Sequence, residues 1–362
     1  MHFSPIKYAE KLTLMKIFDY SFIKTLLIPS DFLSSISLIY GLKSKSDSLK
    51  SRFPDVFTGL RKIAIVESVK GRNAIEGIIT SDSRIKAIVN GISAPKNHSE
   101  EEIAGYRDAL NFIHQNHDSL SFSEELIKEL HMMMLSHTGL SYGGEYKSED
   151  NIIRERWSNG MILDRWKPTP AKETPKAMEQ LVEAFLEARD DSSINQLLLI
   201  PSFILDFLYV HPFGDGNRRI SRLLTLFLLY QAGFDVPEYI SFEEQINKDK
   251  IRYYEALKKS SVNWHEGNNN YLPFINNTIF TLSNCYQELN KRFLTLRDGK
   301  VSKTERIENA VLTSLIPISK ADIVYLLPDV SVTTIEAVLA KMVKESKIAK
   351  IGSTKGVKYK KI

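Results

Sequence analysis

A single cysteine in 362 residues, Cys285, leaves no partner for an internal disulfide, so packing and hydrogen bonds must hold this chain together. No charged-then-apolar leader with a small-residue cleavage site opens the sequence, and with the lone cysteine this favours a cytoplasmic location as the expectation. Long apolar runs are scarce as well. The stretches at 197–200 and 223–230 are broken by polar residues well short of the roughly 20 that a membrane span needs, so no membrane association is expected. A net charge of +4 is small for this length and excludes bulk attraction to nucleic acid as a property of the whole chain. Internal repeats and low-complexity tracts are missing too. Hydrophobic residues at 43% and charged residues at 25% are the balance of a folded chain, and at about 100–200 residues per domain the length predicts two or three units.

What is present is helical periodicity. Ser121-Phe122-Ser123-Glu124 reads as a capping box ahead of Leu126, Ile127, Leu130 and Met134, whose spacing places them on one face of a helix near 122–136. Similar patterns near 100–117, 173–189, 194–209, 217–232, 249–260 and 270–293 predict an all-α central region. Between Gly143 and Pro168 the pattern changes: Ile152-Ile153 and Met161-Ile162-Leu163 flank Ser158-Asn159-Gly160, and Asn-Gly in that setting predicts a short β-hairpin. Upstream, Ile63, Val66, Lys70 and Asn73 predict a helix leading into Ala74-Ile75-Glu76-Gly77, where the glycine can end it. Arg297-Asp298-Gly299-Lys300 reads as a boundary. Beyond it, helical patterns at 303–315, 319–326 and 331–345 precede a tail at 347–360 that alternates apolar and basic residues around a Gly/Ser turn, the order of a winged helix.

The most informative segment is His211-Pro212-Phe213-Gly214-Asp215-Gly216-Asn217-Arg218-Arg219-Ile220-Ser221-Arg222. An apolar helix ends at Val210, and Asp215-Gly216-Asn217 supplies a tight turn into the next helix. A helix N-terminus offers unpaired amide N–H groups and partial positive charge, and Gly216 lets backbone approach a phosphate closely. Arg219 and Arg222 lie three apart on one helical face and can grip a polyphosphate. Asp215 is a hard oxygen ligand for Mg²⁺, and the His211 pKa range suits removal of a proton from an attacking hydroxyl.

This run resembles the Fic motif, His-x-Phe-x-(Asp/Glu)-Gly-Asn-Gly-Arg-x-x-Arg, at His211, Phe213, Asp215, Gly216, Asn217, Arg219 and Arg222. Where the family has glycine this chain has Arg218. The resemblance extends from about Glu76 to about 290. It implies an all-α Fic core with a hairpin flap, the Fic catalytic domain at 96–297; the N-terminal helical region at 1–95 and the winged helix read from element order at 298–362 flank it. It also implies transfer of AMP from ATP to a Tyr, Thr or Ser hydroxyl of a target protein or of the chain itself, as a protein adenylyltransferase. His211 would be the base and Asp215 the magnesium ligand. Phe213, Gly214, Gly216, Asn217, Arg218, Arg219 and Arg222 would surround the nucleotide, and the hairpin near 150–165 would align the protein substrate as an added strand. Arg72-Asn73-Ala74-Ile75-Glu76-Gly77 resembles the family's inhibitory helix, (Ser/Thr)-x-x-x-Glu-(Gly/Asn), with Arg72 at the Ser/Thr position; Glu76 would pair with Arg222 and block productive ATP binding.

Plainer readings compete. A histidine before proline is by itself usually structural, an i,i+3 arginine pair is usually a solvated face, and a glutamate near a helix end is usually exposed. Trp157, Trp166 and Trp264 read as packing or flap residues, and His114, His117, His131 and His137 lack metal-ligand spacing. The lysines from Lys341 through Lys344, Lys347, Lys350, Lys355, Lys358, Lys360 and Lys361, against Glu345, support a rival function: a DNA-binding or scaffold protein, contacting DNA through 300–362, whose Fic core binds nucleotide without turnover. Removal of AMP, or transfer of another nucleotide, is the alternative within enzymes.

Overall fold

Side-chain caps set most helix starts in the computed structural model, which describes residues 16–76, 80–156, 162–297, 302–312, 314, 317–327, 330–352 and 357–362. The N-terminal part holds α1 (Ser30–Arg52), α2 (Pro54–Glu76) and α3 (Asp82–Val89), the last capped by Ser81, whose side chain accepts the Arg84 N–H. Next come α4 (His98–Asn116), capped by Asn97, and α5 (Glu124–Leu135). The cap of α5 is Ser123, which accepts the Leu126 N–H, and not Ser121: the chain enters the helix two residues later than the capping-box spacing predicts. Strands β1 (Ile153–Arg156) and β2 (Ile162–Trp166) then pair antiparallel, with the register shifting between Ile153 and Arg154. The Asn159-Gly160 turn expected between them lies outside the described residues.

Helices α6 (Thr174–Asp190), α7 (Gln196–Val210) and α8 (Asn217–Gln231) follow, then α9 (Phe242–Lys248), α10 (Lys250–Ser261) and α11 (Leu272–Arg297). From Leu197 to Val210 every residue of α7 is buried, which is why its sequence is apolar all round instead of along one stripe. Packed against α6, α8 and α11, it is the axis of a hydrophobic core that also draws on α1 through α5. Sequence periodicity does not single out α1, α3 or α9.

A second apolar cluster is built from α12 (Lys303–Leu312), β3 (Ile318–Ser319), α13 (Lys320–Leu326), α14 (Val332–Lys344), β4 (Ile348–Ile351) and β5 (Lys358–Lys361). The strands form one antiparallel sheet in the order β3-β5-β4, with Tyr359 opposite both Ile318 and Lys350. This cluster rests on α2, whose Ile63 packs against it. Helix α2 therefore touches both clusters, and its C-terminal end reaches the site described next.

Candidate active site

Helix α7 ends on His211, which takes a left-handed backbone (φ 52°, ψ 60°). Its N–H donates to the Phe207 carbonyl at 3.0 Å, closing the last turn. Its imidazole Nδ1 lies 3.2 Å from the Leu208 carbonyl, which can only accept, so Nδ1 carries the proton and Nε2 keeps a free lone pair. Burial pushes the imidazole pKa down to about 4; the Leu208 carbonyl opposes this, while the charges of Lys147 and Arg218 assist it. His211 is thus neutral at pH 7 and able to take a proton.

From Phe213 to Asn217 the loop is tied to itself. The Asn217 side chain accepts the Phe213 N–H at 2.9 Å and donates to the Phe213 carbonyl at 2.7 Å. The amide expected to face a phosphate is thus committed to the loop, with one N–H remaining. Phe213 is fully buried, stacked on the His131 ring at 3.8 Å, and so anchors the loop instead of lining the site. Gly216, at φ 82°, caps α8 in a left-handed conformation that favours glycine; a Cβ there would also press on the movable Cε of Met134 at 2.4 Å.

These elements enclose a cavity of about 470 Å³ lined by Ile75, Asn151, Ile152, Ile153, His211 and 214–219. The N-terminus of α8 forms part of its wall, as an anion site requires. Asp215 accepts the Gly216 N–H at 2.6 Å and pairs with Arg219 at 2.6 Å. Burial raises its carboxyl pKa, but the Arg219 charge and the Gly216 N–H outweigh that and hold it below the usual carboxylate range. Arg218 is exposed, with its guanidinium 5.7 Å from the centre of the Tyr254 ring, and it lines the cavity from the α10 side. Arg222 is buried one turn deeper, beside Tyr106 and Tyr253, and is not among the lining residues.

Ile75 brings α2 to the cavity wall. The Glu76 side chain and Gly77 lie outside the described residues. Arg72, at the family's Ser/Thr position, is fully buried, 3.3 Å from Glu102 of α4. Glu102 in turn pairs with Arg219 at 2.8 Å, so one carboxylate joins the helix expected to be inhibitory to the expected phosphate site. Sequence reasoning missed Glu102, because an acid in the first turns of a helix looks like any solvated charge. It also passed over His131, which accepts the Gly144 N–H on Nδ1 and donates from Nε2 to the Asp215 carbonyl at 3.1 Å. Burial lowers the His131 pKa to about 4, keeping the neutral tautomer that both bonds need.

The hairpin is fixed at its base. Trp166 stacks on His265 at 4.4 Å and donates from Nε1 to the Tyr209 carbonyl at 3.3 Å, while buried Trp264 packs edge-on to it. For Mg²⁺, no group of three or more His, Cys, Asp or Glu side chains is gathered among the described residues. A single ionised carboxylate beside an anion site still fits this ion, which binds one or two carboxylates and completes its shell with substrate phosphates and water.

Residues 121–229 match the Fic/DOC family. The chain is 28% identical over 210 residues to a protein adenylyltransferase Fic of Nematostella vectensis, covering 55% of this chain and 44% of that protein. It is 27% identical over 227 residues to one of Drosophila persimilis, covering 61% and 41%. The chain thus spans less than half the length of these curated relatives. Its fold is similar to that of a Fic family protein from Desulfovibrio desulfuricans, with a TM-score of 0.61 at 18% identity over 93% of this chain and 97% of the other. A Fic domain containing signaling protein from Bacteroides thetaiotaomicron matches with a TM-score of 0.59 at 24% identity, over 70% and 97%. Among the described residues no helix is long and apolar enough to cross a membrane. The match over 121–229, the curated relatives and the fold neighbours thus all carry the Fic name, and what they share with this chain is a Fic-like core.

Proposed function

We propose that this chain is a protein adenylyltransferase, moving AMP from ATP to a Tyr, Thr or Ser hydroxyl on a target protein or on itself. The observation that carries the reading is His211: its Nδ1–H is held by Leu208, and its Nε2 remains an acceptor on a side chain that lines the same cavity as 214–219. The hydroxyl oxygen attacks the α-phosphorus, its proton passes to Nε2, and the bond to pyrophosphate breaks. An imidazole with a pKa near 4 is a weak base, but the charge of a bound triphosphate acts in the opposite direction and strengthens it. The α8 N-terminus with Gly214 and Gly216 receives the α-phosphate, and Arg218 and Arg219 balance the outer phosphates from the cavity wall, with Arg222 adding its charge from one turn deeper. Asp215 would hold Mg²⁺, whose chemistry here is to neutralise phosphate charge. The β1–β2 hairpin offers a strand edge to an extended target segment.

In this reading Glu76 restrains the site by pairing with Arg222, and the arrival of α2 at the cavity through Ile75 supports it. With Mg²⁺ and ATP labelled at the α-phosphate, label should appear on protein, rise in Glu76→Gly and fall about 10²–10⁴-fold in His211→Ala. Absence of label on the Glu76→Gly chain and on every protein of a cell lysate would refute the proposal. The lysines on β4 and β5, Lys350, Lys358, Lys360 and Lys361, favour a second reading in which a C-terminal winged helix contacts DNA backbone. A gel shift that weakens with salt and disappears on deletion of 300–362 would support that one.

A further inference from the structure

Three consecutive backbone carbonyls, those of Val210, His211 and Pro212, converge on one residue. Lys147 donates from Nζ to Val210 at 3.2 Å and to His211 at 2.9 Å, and its backbone N–H donates to Pro212 at 2.9 Å. The first two belong to the end of α7, where carbonyls have no helical partner and the helix presents its negative pole. A buried ammonium answers both needs: Lys147 is 7% exposed, and its remaining contact is the Asn151 side chain at 3.3 Å, on the cavity wall. At the centre of this set sits His211, in a left-handed conformation that residues bearing a Cβ rarely adopt unless their surroundings impose it.

We propose that Lys147 is the positioning residue of the site, holding the His211 peptide in its left-handed turn so that Nδ1 meets Leu208 and Nε2 is presented to the cavity. The inference deepens the reading of His211 as the base and rests on it. An apolar residue of the same length would bury as well but leave the carbonyls of Val210 and His211 unanswered, and the turn could then relax toward extended backbone, carrying the ring with it. Arginine would keep charge and donors. Burial without a closely paired carboxylate lowers the Lys147 pKa to about 8, with Asp150 opposing, which fits an ammonium kept inside for its hydrogen bonds.

The test uses the full chain labelled with ¹⁵N-histidine, with the His211 signal assigned by its loss in His211→Ala. Wild type should show the Nδ1–H tautomer at His211. Lys147→Met should fold, bind ATP within about threefold of wild type and lose that single-tautomer signature, with kcat for α-label transfer down at least 10-fold and KM little changed. Lys147→Arg should recover the signature and most of kcat. A folded Lys147→Met chain with an unaltered His211 signature overturns the proposal. If Lys147→Met does not fold, Lys147→Gln, whose neutral amide ends one bond short of the ammonium position, is read by the same signature, retention overturning and loss supporting. Should no form of the chain transfer label, the proposed activity fails, and the histidine spectra still decide the role of Lys147.

Discussion

Asp206 is a carboxylate buried in the apolar helix α7, a composition that would make it a liability were it not the hub of a network. It accepts from Lys16 Nζ at 3.0 Å, Tyr20 Oη at 3.0 Å, Trp264 Nε1 at 2.6 Å and Tyr271 Oη at 2.9 Å. The Lys16 side chain is largely buried too; desolvation lowers its pKa while Asp206 supports its charge. Asp206→Asn preserves size but removes the counter-charge, leaving the Lys16 ammonium on the neutral oxygens of Asn269 and Tyr271, and breaking such a pair costs about 3–5 kcal/mol. A fall of that order in unfolding free energy is expected in urea titrations followed by the fluorescence of Trp264, and an unchanged midpoint would contradict it. The residues around the site divide along the same line. His211, Asp215 and Gly216 stand out in sequence because their types and spacing have few other uses, whereas His131 and Glu102 reach Asp215 and Arg219 from more than 80 residues away.

At the level of elements, the position of α5 decides how well the loop before α8 is held, because α5 carries both His131 and Met134. What lets α5 come close enough is Gly105 of α4: a Cβ there would lie 2.0 Å from the Met134 carbonyl oxygen. Gly105→Ala should push the helices apart and cost about 1–3 kcal/mol, the usual range for overpacking. It should also weaken ATP binding, since the Asp215 carbonyl would lose its donor. Chemical denaturation and a nucleotide titration on the same variant check both effects, and loss of stability with unchanged ATP affinity would uncouple α5 from the loop. A glycine inside a helix reads in sequence only as a weak point. The crossing that requires it is invisible until α4 and α5 are packed.

Across the whole molecule, among the described residues, burial holds three histidines neutral: His114 with a pKa lowered to about 3, and His131 and His211 with theirs lowered to about 4. In the unfolded chain each titrates near 6.5, so between that pH and the folded value the unfolded state binds more protons, and stability falls as pH falls. Each group contributes about 1.4 kcal/mol per pH unit in that window. Urea midpoints should therefore drop from pH 7 to pH 5. His131→Phe, which keeps the stack on Phe213, should flatten the slope by about one group's share. An identical slope would show that His131 is not held neutral.

By itself the sequence determined the helical class and the positions of most central helices, and it singled out the loop from His211 to Arg222, because hydrophobic period and a dense motif are local properties of a chain. Apolar pairs on either side of Asn159-Gly160 also pointed to strands, and β1 and β2 pair antiparallel there. Only the tertiary structure decided that Asn217 is committed to Phe213, that Arg218 leans toward Tyr254, and that Glu102, His131 and Lys147 hold the loop from outside. The physical reason is the same in each case. Buried hydrogen bonds and charge pairs form between segments remote in sequence, and nothing local distinguishes a residue that will find such a partner from one that will face water.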